Sequence, residues 1–274
     1  MAKVSPASKQ TCIPMLPYNG HVASEIRPAY FLQAMGLKAL PMAIFSFGKC
    51  NFSCRYCKRK GQFLDSYGNI IDSTETDMDS LFALVRGHVK LGNVIRLSGG
   101  DPCVFPGISR ALLEYAVSLG GVTSIAHNGS SPDFVQLVLP FLHFASIDVK
   151  AASPQEFMLI TGIHYYKKAQ RLLENAYITI ELLLQHKKPV DVRTTVFADT
   201  GLEQLEVIAR RLKEVADENP LLFWTLRCYS PVPGFERKPP DIEKIKHYAR
   251  CIAGKYGIKI GIRSQWEPGG FLFL

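Results

Sequence analysis

Short apolar runs alternate along this chain with amphipathic stretches of helical period, and that alternation restricts the fold more than any other feature. The runs cover 42–47, 93–97, 122–126, 144–149, 190–196 and 222–228, with a further candidate at 258–262. They are rich in Ile, Val and Phe and nearly continuous, the pattern of strands covered on both faces. Helical patterns lie between them at 108–119, 132–139, 166–184, 202–215 and 241–253. Another begins after Thr76-Asp77-Met78-Asp79, which resembles a capping box set before Leu81, Phe82, Leu84 and Val85. The repeat predicts a parallel α/β sheet with right-handed crossovers, and periodicity alone leaves barrel and open sheet both possible.

Length and composition narrow the reading. A chain of 274 residues suits one large domain. With 47% hydrophobic and 20% charged residues, it is neither disordered nor fibrous. No apolar run is long enough to span a membrane, so no membrane partner is expected. The first residues lack the apolar core of a signal peptide, which makes the cytoplasm the expected compartment. Residues 1–40, punctuated by Pro6, Pro14, Pro17 and Pro28, read as an irregular extension packed on a domain spanning 41–274. The formal net charge of +8 fits either an anionic partner or a basic soluble enzyme with scattered charges. No nucleic-acid-binding module accompanies it, which ranks nucleic acid last among partners. Seven cysteines in a reducing compartment point to a metal or redox site before disulfides.

Parallel α/β folds place their chemistry at the C-terminal ends of the strands. After the first run comes Lys49-Cys50-Asn51-Phe52-Ser53-Cys54-Arg55-Tyr56-Cys57. Three thiolates in one tight loop suit zinc or an iron–sulfur cluster. Zinc would want a fourth ligand nearby, and neither His88 nor Cys103 has finger-like spacing. The C-x3-C-x2-C spacing, with Tyr56 before the last cysteine, resembles the signature of the radical S-adenosylmethionine (SAM) enzymes. That resemblance implies a partial (β/α)6 TIM-like barrel with mostly parallel strands. It also implies a [4Fe-4S] cluster on Cys50, Cys54 and Cys57, with one iron left open to chelate the methionine part of SAM. Reductive cleavage of SAM then yields a 5′-deoxyadenosyl radical, which abstracts a hydrogen atom. Tyr56 would lie beside the adenine, or simply pack in the loop.

Other strand ends extend the likeness. Gly99-Gly100-Asp101-Pro102 resembles the family's Gly-Gly-Glu-Pro loop, which contacts the SAM amino group. The shorter acid shifts that contact from the side chain toward the backbone. Asp148-Val149-Lys150, Phe157-Met158-Leu159-Ile160-Thr161-Gly162 and Arg193-Thr194-Thr195-Val196 resemble segments of the glycyl-radical-enzyme activases. The activating proteins of anaerobic ribonucleoside-triphosphate reductase look nearest. By this resemblance Asp148 and Lys150 serve catalysis and SAM binding, and Asn128, Arg193 and Val196 line the SAM site. The implied partners are a glycyl radical enzyme, such as anaerobic ribonucleotide reductase, and a flavodoxin or ferredoxin-type electron donor. On physical grounds, Asp148, Lys150 and Arg193 are charges at the ends of apolar strands and either face a ligand or form a structural ion pair. Arg193 could grip the SAM carboxylate in a fork.

The chain also departs from the activases. Ala126-His127-Asn128-Gly129 stands where they carry Asp-Thr-Asn-Gly, so no monovalent cation beside SAM, or a weaker one, is expected. His127 reads as a hydrogen-bonding partner of the SAM ribose or substrate, or as a solvated turn residue. Lys58-Arg59-Lys60 replaces His-Asn after the third cysteine. Cys12, Cys103, Cys228 and Cys251 are scattered and read as single thiols. Tyr229 and the Pro231–Pro233 turn read as mouth lining or as a plain turn. Three substrate classes follow: a partner enzyme's backbone glycine first, a small molecule second, RNA last. The extension and the tail from Trp266 to Leu274 would cap the barrel in the second case.

Overall fold

The computed structural model describes residues 20–28, 30–38, 40–58, 77–264 and 271–273. In chain order the elements are β1 (Gly20–Pro28), α1 (Tyr30–Ala34), β2 (Pro41–Phe47), α2 (Met78–Lys90), β3 (Val94–Gly99), α3 (Pro106–Ser118), β4 (Thr123–His127), α4 (Pro132–Val138) and β5 (Phe144–Asp148). They continue with α5 (Pro154–Thr161), α6 (Tyr166–Gln185), β6 (Val190–Val196), α7 (Leu202–Ala216), β7 (Leu222–Cys228), α8 (Ile242–Tyr256), β8 (Ile260–Arg263) and β9 (Phe271–Phe273). All nine strands form one sheet in sequence order. From β2 to β8 every neighbour is parallel, so the predicted α/β partial barrel is the fold observed. The expected extra strand is β8, a full member of this parallel run.

The helices start where side chains can cap them. Asp77 accepts from Ser80 N at 2.7 Å, Ser131 from Phe134 N at 3.2 Å, and Ser153 from Glu156 N at 3.2 Å. The cap of α2 is therefore Asp77; Thr76 lies outside the described residues. Gly162 and Gly257 end α5 and α8 in the left-handed region.

Residues 20–28 are not irregular. They pair antiparallel with β2, and β9 pairs antiparallel with β8, so both segments lengthen the sheet at its edges. Proline spacing hides a strand at a sheet edge, where missing N–H donors are tolerated. The helix α5 is also absent from the periodicity, being too short to show a period.

The short helix α1 closes the N-terminal end of the barrel. Its Phe31 and Leu32 are buried with Met42, Val94, Phe144 and Phe223, which open β2, β3, β5 and β7. The Phe31 and Phe144 rings meet edge to face at 5.6 Å. Above this floor the interior turns polar. Arg96 donates to Ser124 and Ser146, each at 2.7 Å, and Ser146 and Thr225 both donate to Asp191. This belt crosses five strands and uses the strand face opposite the helices. The other face, with Val190, Val192, Val196, Trp224 and Leu226, packs under the helices in one continuous core. No described helix is long and apolar enough to cross a membrane.

Truncating the plug tests this reading. Phe31→Ala is expected to cost about 3 kcal/mol of stability in urea unfolding. A loss below about 1 kcal/mol would mean that α1 does not seal the barrel.

Candidate active site

Cys50, Cys54 and Cys57 occupy the loop leaving β2, and that loop is held from two sides. On one side the end of β3 is sewn to it. Gly100 N donates to Phe47 O at 2.5 Å and Asp101 N to Lys49 O at 2.9 Å. The seam has no space for side chains. A Cβ on Gly99 would overlap the backbone of Ser46 and Phe47, and one on Gly100 the carbonyl of Lys49. Gly99 also sits at φ 98°, open mainly to glycine. On the other side the last turn of α5 accepts from the loop: Ser53 N donates to Thr161 O and Arg55 N to Ile160 O. Phe52 packs edge-on against Phe157 with ring centroids 5.5 Å apart. The Phe157–Gly162 segment is thus the buttress of the cysteine loop.

Amides surround the first sulfur. Phe52 N donates to Cys50 Sγ at 3.4 Å, and Asn128 Nδ2 lies 3.8 Å from it. Asn128 Nδ2 also donates to Asn51 Oδ1 at 2.6 Å, and Asn51 Nδ2 to Ser130 Oγ at 2.7 Å. Burial pushes the Cys54 thiol up to about 11 and raises Cys50, so metal binding must displace their protons. Among the described residues, the three ligand-type side chains with donor atoms mutually within 4.8 Å are Asp101, Cys103 and His127.

Asp101 does not offer its carboxylate to a ligand. Oδ1 accepts from Cys103 N at 2.9 Å and meets His127 Nδ1 at 2.7 Å, and Oδ2 accepts from Asn128 N at 2.7 Å. Burial opposes its ionisation, yet His127 and Cys103 hold the carboxyl below its ordinary value. His127 is 1% exposed, and its Nε2 accepts from Ser131 N at 3.3 Å. Both expectations for His127 are therefore corrected: it is neither a solvated turn residue nor free to meet a ligand. Its two ring nitrogens are spent inside the protein. The three ligand-type groups here are joined by hydrogen bonds to one another and to Asn128 and Ser131.

Asp148 sits at the end of β5 between two cations. Lys150 Nζ donates to Oδ2 at 2.9 Å, while Arg193 Nε and Nη2 both reach Oδ1, at 2.8 and 2.7 Å. Against the cost of burial, Arg193, Lys150 and Arg227 hold the Asp148 carboxyl well below the usual carboxylate range. The edge of Arg193 expected to fork a SAM carboxylate is thus taken by Asp148. Lys150 Nζ also lies 3.5 Å from Tyr56 Oη. Tyr56 joins an aromatic wall with Phe197 and Phe235, at 5.7 and 6.4 Å between centroids. Tyr229 packs on the same wall, and its hydroxyl accepts from Val232 N, so the proline segment is a turn pinned beside the mouth. Val196 is fully buried on the helix side of β6, and its carbonyl accepts from Tyr229 N; its side chain does not line the interior.

Of the expected residues, the fold gathers Cys50, Cys54, Cys57, Tyr56, Gly99, Gly100, Asn128, Asp148, Lys150 and Arg193 around one mouth. Periodicity did not single out Arg96 and Asp191, although both are charges inside otherwise apolar runs. Phe197 and Phe235 were missed because no spacing links them to Tyr56. Cys103 and Cys228 are half-buried and Cys251 is exposed, all as free thiols; Cys12 lies outside the described residues.

Two substitutions probe this geometry. Gly100→Ala forces the β2–β3 seam apart and should lower iron retention roughly tenfold or more, read as iron per chain after desalting. Wild-type retention would refute the seam. Asp148→Asn removes the counter-ion of two buried cations and should cost about 3 kcal/mol at neutral pH. Because the Asp148 carboxyl is depressed in the folded state, its contribution is present above the ordinary value of about 4 and is lost as pH falls below it. Stability of the variant should therefore fall less steeply with acid than that of wild type; equal slopes would contradict the pairing.

Residues 44–212, more than half of the chain, match the family model of the radical SAM superfamily. The chain is similar to the 7-carboxy-7-deazaguanine synthase of Methanothermobacter thermautotrophicus, with 24% identity over 229 residues, covering 82% of this chain and 88% of that one. It is also similar to a protein of Methanocaldococcus jannaschii assigned as a glycyl-radical enzyme activating enzyme, with 25% identity over 183 residues, 65% and 70% of the two chains. In fold it resembles Streptococcus suis SuiB bound to its precursor peptide SuiA, with a TM-score of 0.59 and 12% identity over 80% of this chain and 47% of that one. The chain belongs to the radical SAM superfamily, whose members use a [4Fe-4S] cluster and S-adenosylmethionine.

Proposed function

We propose that this radical SAM enzyme acts on a charged small molecule in a biosynthetic reaction, with Cys50, Cys54 and Cys57 holding the cluster. The observation that carries this reading is the charged interior. Arg96 and Asp191 lie deep in the barrel, and the Asp148 triad stands at its mouth. A backbone glycine offered by a partner enzyme is neutral and makes no use of such charge. A polar metabolite can share the hydrogen-bonding capacity of this interior, whose charges already meet one another or hydroxyl groups. The likeness to 7-carboxy-7-deazaguanine synthase over most of both chains favours the same class.

The activase reading keeps the likeness to the Methanocaldococcus jannaschii protein, but the site adds nothing specific to it. The segments that suggested it perform internal tasks: Phe157–Gly162 buttresses the cysteine loop, and Asp148, Lys150 and Arg193 pair with one another. In the Arg193–Val196 segment, Thr194 Oγ1 donates to Val149 O and accepts from Trp224 Nε1, on the helix side of the sheet.

When bound, the reduced cluster and SAM supply a one-electron cleavage that ends in hydrogen-atom abstraction from the substrate. This chain's residues do the rest. The carbonyl of Gly100 would accept from the SAM ammonium, since Asp101 spends most of its acceptor capacity inside the protein. Asp148 fixes Lys150 and Arg193 in place, so any N–H group they offer a ligand would be positioned in advance. Tyr56, Phe197 and Phe235 exclude water from the radical's path. An external one-electron donor of the flavodoxin or ferredoxin type completes the cycle.

The test measures 5′-deoxyadenosine from anaerobically reconstituted enzyme, SAM and a reductant. Formation should rise severalfold with a dialysable metabolite extract of the host, and not with its anaerobic ribonucleotide reductase. A glycyl-radical signal appearing on that reductase would overturn the proposal. Replacing Cys50, Cys54 and Cys57 by Ala should abolish cleavage altogether, and surviving cleavage would remove these cysteines from the site.

A further inference from the structure

Asn128, Ser130 and Asn51 fix one another's orientation, and the result is a side-chain donor aimed at a sulfur of the cysteine loop. Asn128 Oδ1 accepts from Ser130 N at 3.0 Å. An amide committed in this way turns its Nδ2 toward Asn51 Oδ1 at 2.6 Å and Cys50 Sγ at 3.8 Å. Asn51 is oriented in turn: its Oδ1 accepts from Asn128, so its own Nδ2 donates to Ser130 Oγ at 2.7 Å. With Oδ1 and one amide hydrogen of Asn128 spent, the second hydrogen is left to the sulfur.

The backbone that carries this amide is pinned on two sides. Asn128 N donates to Asp101 Oδ2 at 2.7 Å. From α6, Asn175 Nδ2 donates to Ser130 O at 2.7 Å and Thr179 Oγ1 to Gly129 O at 3.3 Å. A Cβ on Gly129 would overlap Ala176 of the same helix. Asn128 is 5% exposed, whereas Cys50 is exposed on the loop. Among the described residues, the N–H groups that reach a sulfur of the loop, Phe52 N and Asn128 Nδ2, both reach Cys50. The Cys50 thiol also lies 3.9 Å from Asn51 Oδ1, an oxygen already met by Asn128. Once the thiol has given its proton up to a metal, the two N–H groups are the attractive partners.

Reduction of a thiolate-ligated cluster adds negative charge that spreads onto its sulfurs. A donor already pointed at one sulfur stabilises the reduced form more than the oxidised one and raises the potential, the more so when the donor is buried. We infer that Asn128 is a positioning residue for electron entry: oriented by Ser130 and Asn51, its amide donates to the Cys50 sulfur and makes the cluster easier to reduce. The electron comes from the external one-electron donor, and no bond is made or broken in this step. Resemblance puts Asn128 in the SAM site, whereas its amide is spent on Ser130, Asn51 and Cys50. The inference rests on the cluster being held by Cys50, Cys54 and Cys57 and is independent of the substrate class.

A redox titration of the reconstituted protein, followed by electron paramagnetic resonance without SAM, reads the ratio of reduced to oxidised cluster at each potential. Asn128→Ala removes the donor without adding charge and should lower that ratio about threefold at a fixed potential. Asn128→Asp keeps an acceptor for Ser130 N but turns an oxygen toward the sulfur. It should lower the ratio about tenfold, a shift of about 59 mV for a one-electron couple. Ser130→Ala, also neutral, releases Asn51 and should shift the ratio in the same direction by less. A merely structural prop would change iron per chain and leave the potential of the iron-loaded chains unmoved. An unchanged ratio in Asn128→Ala overturns the inference; if that variant sheds its iron, an unchanged ratio in Ser130→Ala does so. Loss of iron from all three variants would make the amide a support for the loop and overturn the inference as well. A wild-type protein with no titratable cluster would contradict the cluster placement itself, and the proposed function with it.

Discussion

The site depends on a backbone contact that tolerates no side chain. Where β3 ends, Gly99 and Gly100 lie against the exit of β2 so closely that Gly100 N reaches Phe47 O at 2.5 Å. That seam fixes where the cysteine loop begins. It also turns the chain so that Asp101 faces inward, where it accepts from the backbone of Cys103 and Asn128. Asn128 then extends its amide to Asn51 and the Cys50 sulfur. A run of short contacts thus joins three strand ends to the cysteine loop, and this support is in place before any ligand arrives.

Two departures from the activase pattern meet in this network. The chain carries Asp101 where a longer acid is usual and His127 where the activases carry Thr. Their side chains lie 2.7 Å apart, buried together. The shorter carboxylate leaves room for the imidazole, and the imidazole occupies the oxygen that a longer acid would have carried to the ligand. Seen separately in the sequence, Asp101 reads as a side-chain contact shifted toward the backbone and His127 as a ribose or substrate contact or a solvated turn residue; in three dimensions they form one structural pair.

The fold was legible because a parallel sheet covered on both faces writes continuous apolar runs, and the runs ending at Phe47, Val196 and Cys228 close their strands where expected. The cysteine loop was legible because its ligands are local in sequence. What stayed hidden depends on contacts across the barrel. Nothing in residues 20–28 announces an edge strand, and nothing near Phe31 announces a plug for the strand openings. The role of Asp148 as a shared counter-ion needs Arg193 in register beside it, a fact of strand pairing. Charges within apolar strands are the one sequence signal that could have exposed the polar interior, and Arg96 and Asp191 carry it.

The central claim is that the three-cysteine loop holds a cluster to which SAM binds directly. Electron paramagnetic resonance of the reconstituted, reduced protein, recorded before and after addition of SAM, tests it most directly. The account predicts a reduced [4Fe-4S] signal whose shape changes when SAM is added, because the ligand occupies the open iron. A cluster signal unaltered by saturating SAM, or one that persists after Cys50, Cys54 and Cys57 are replaced, would contradict it.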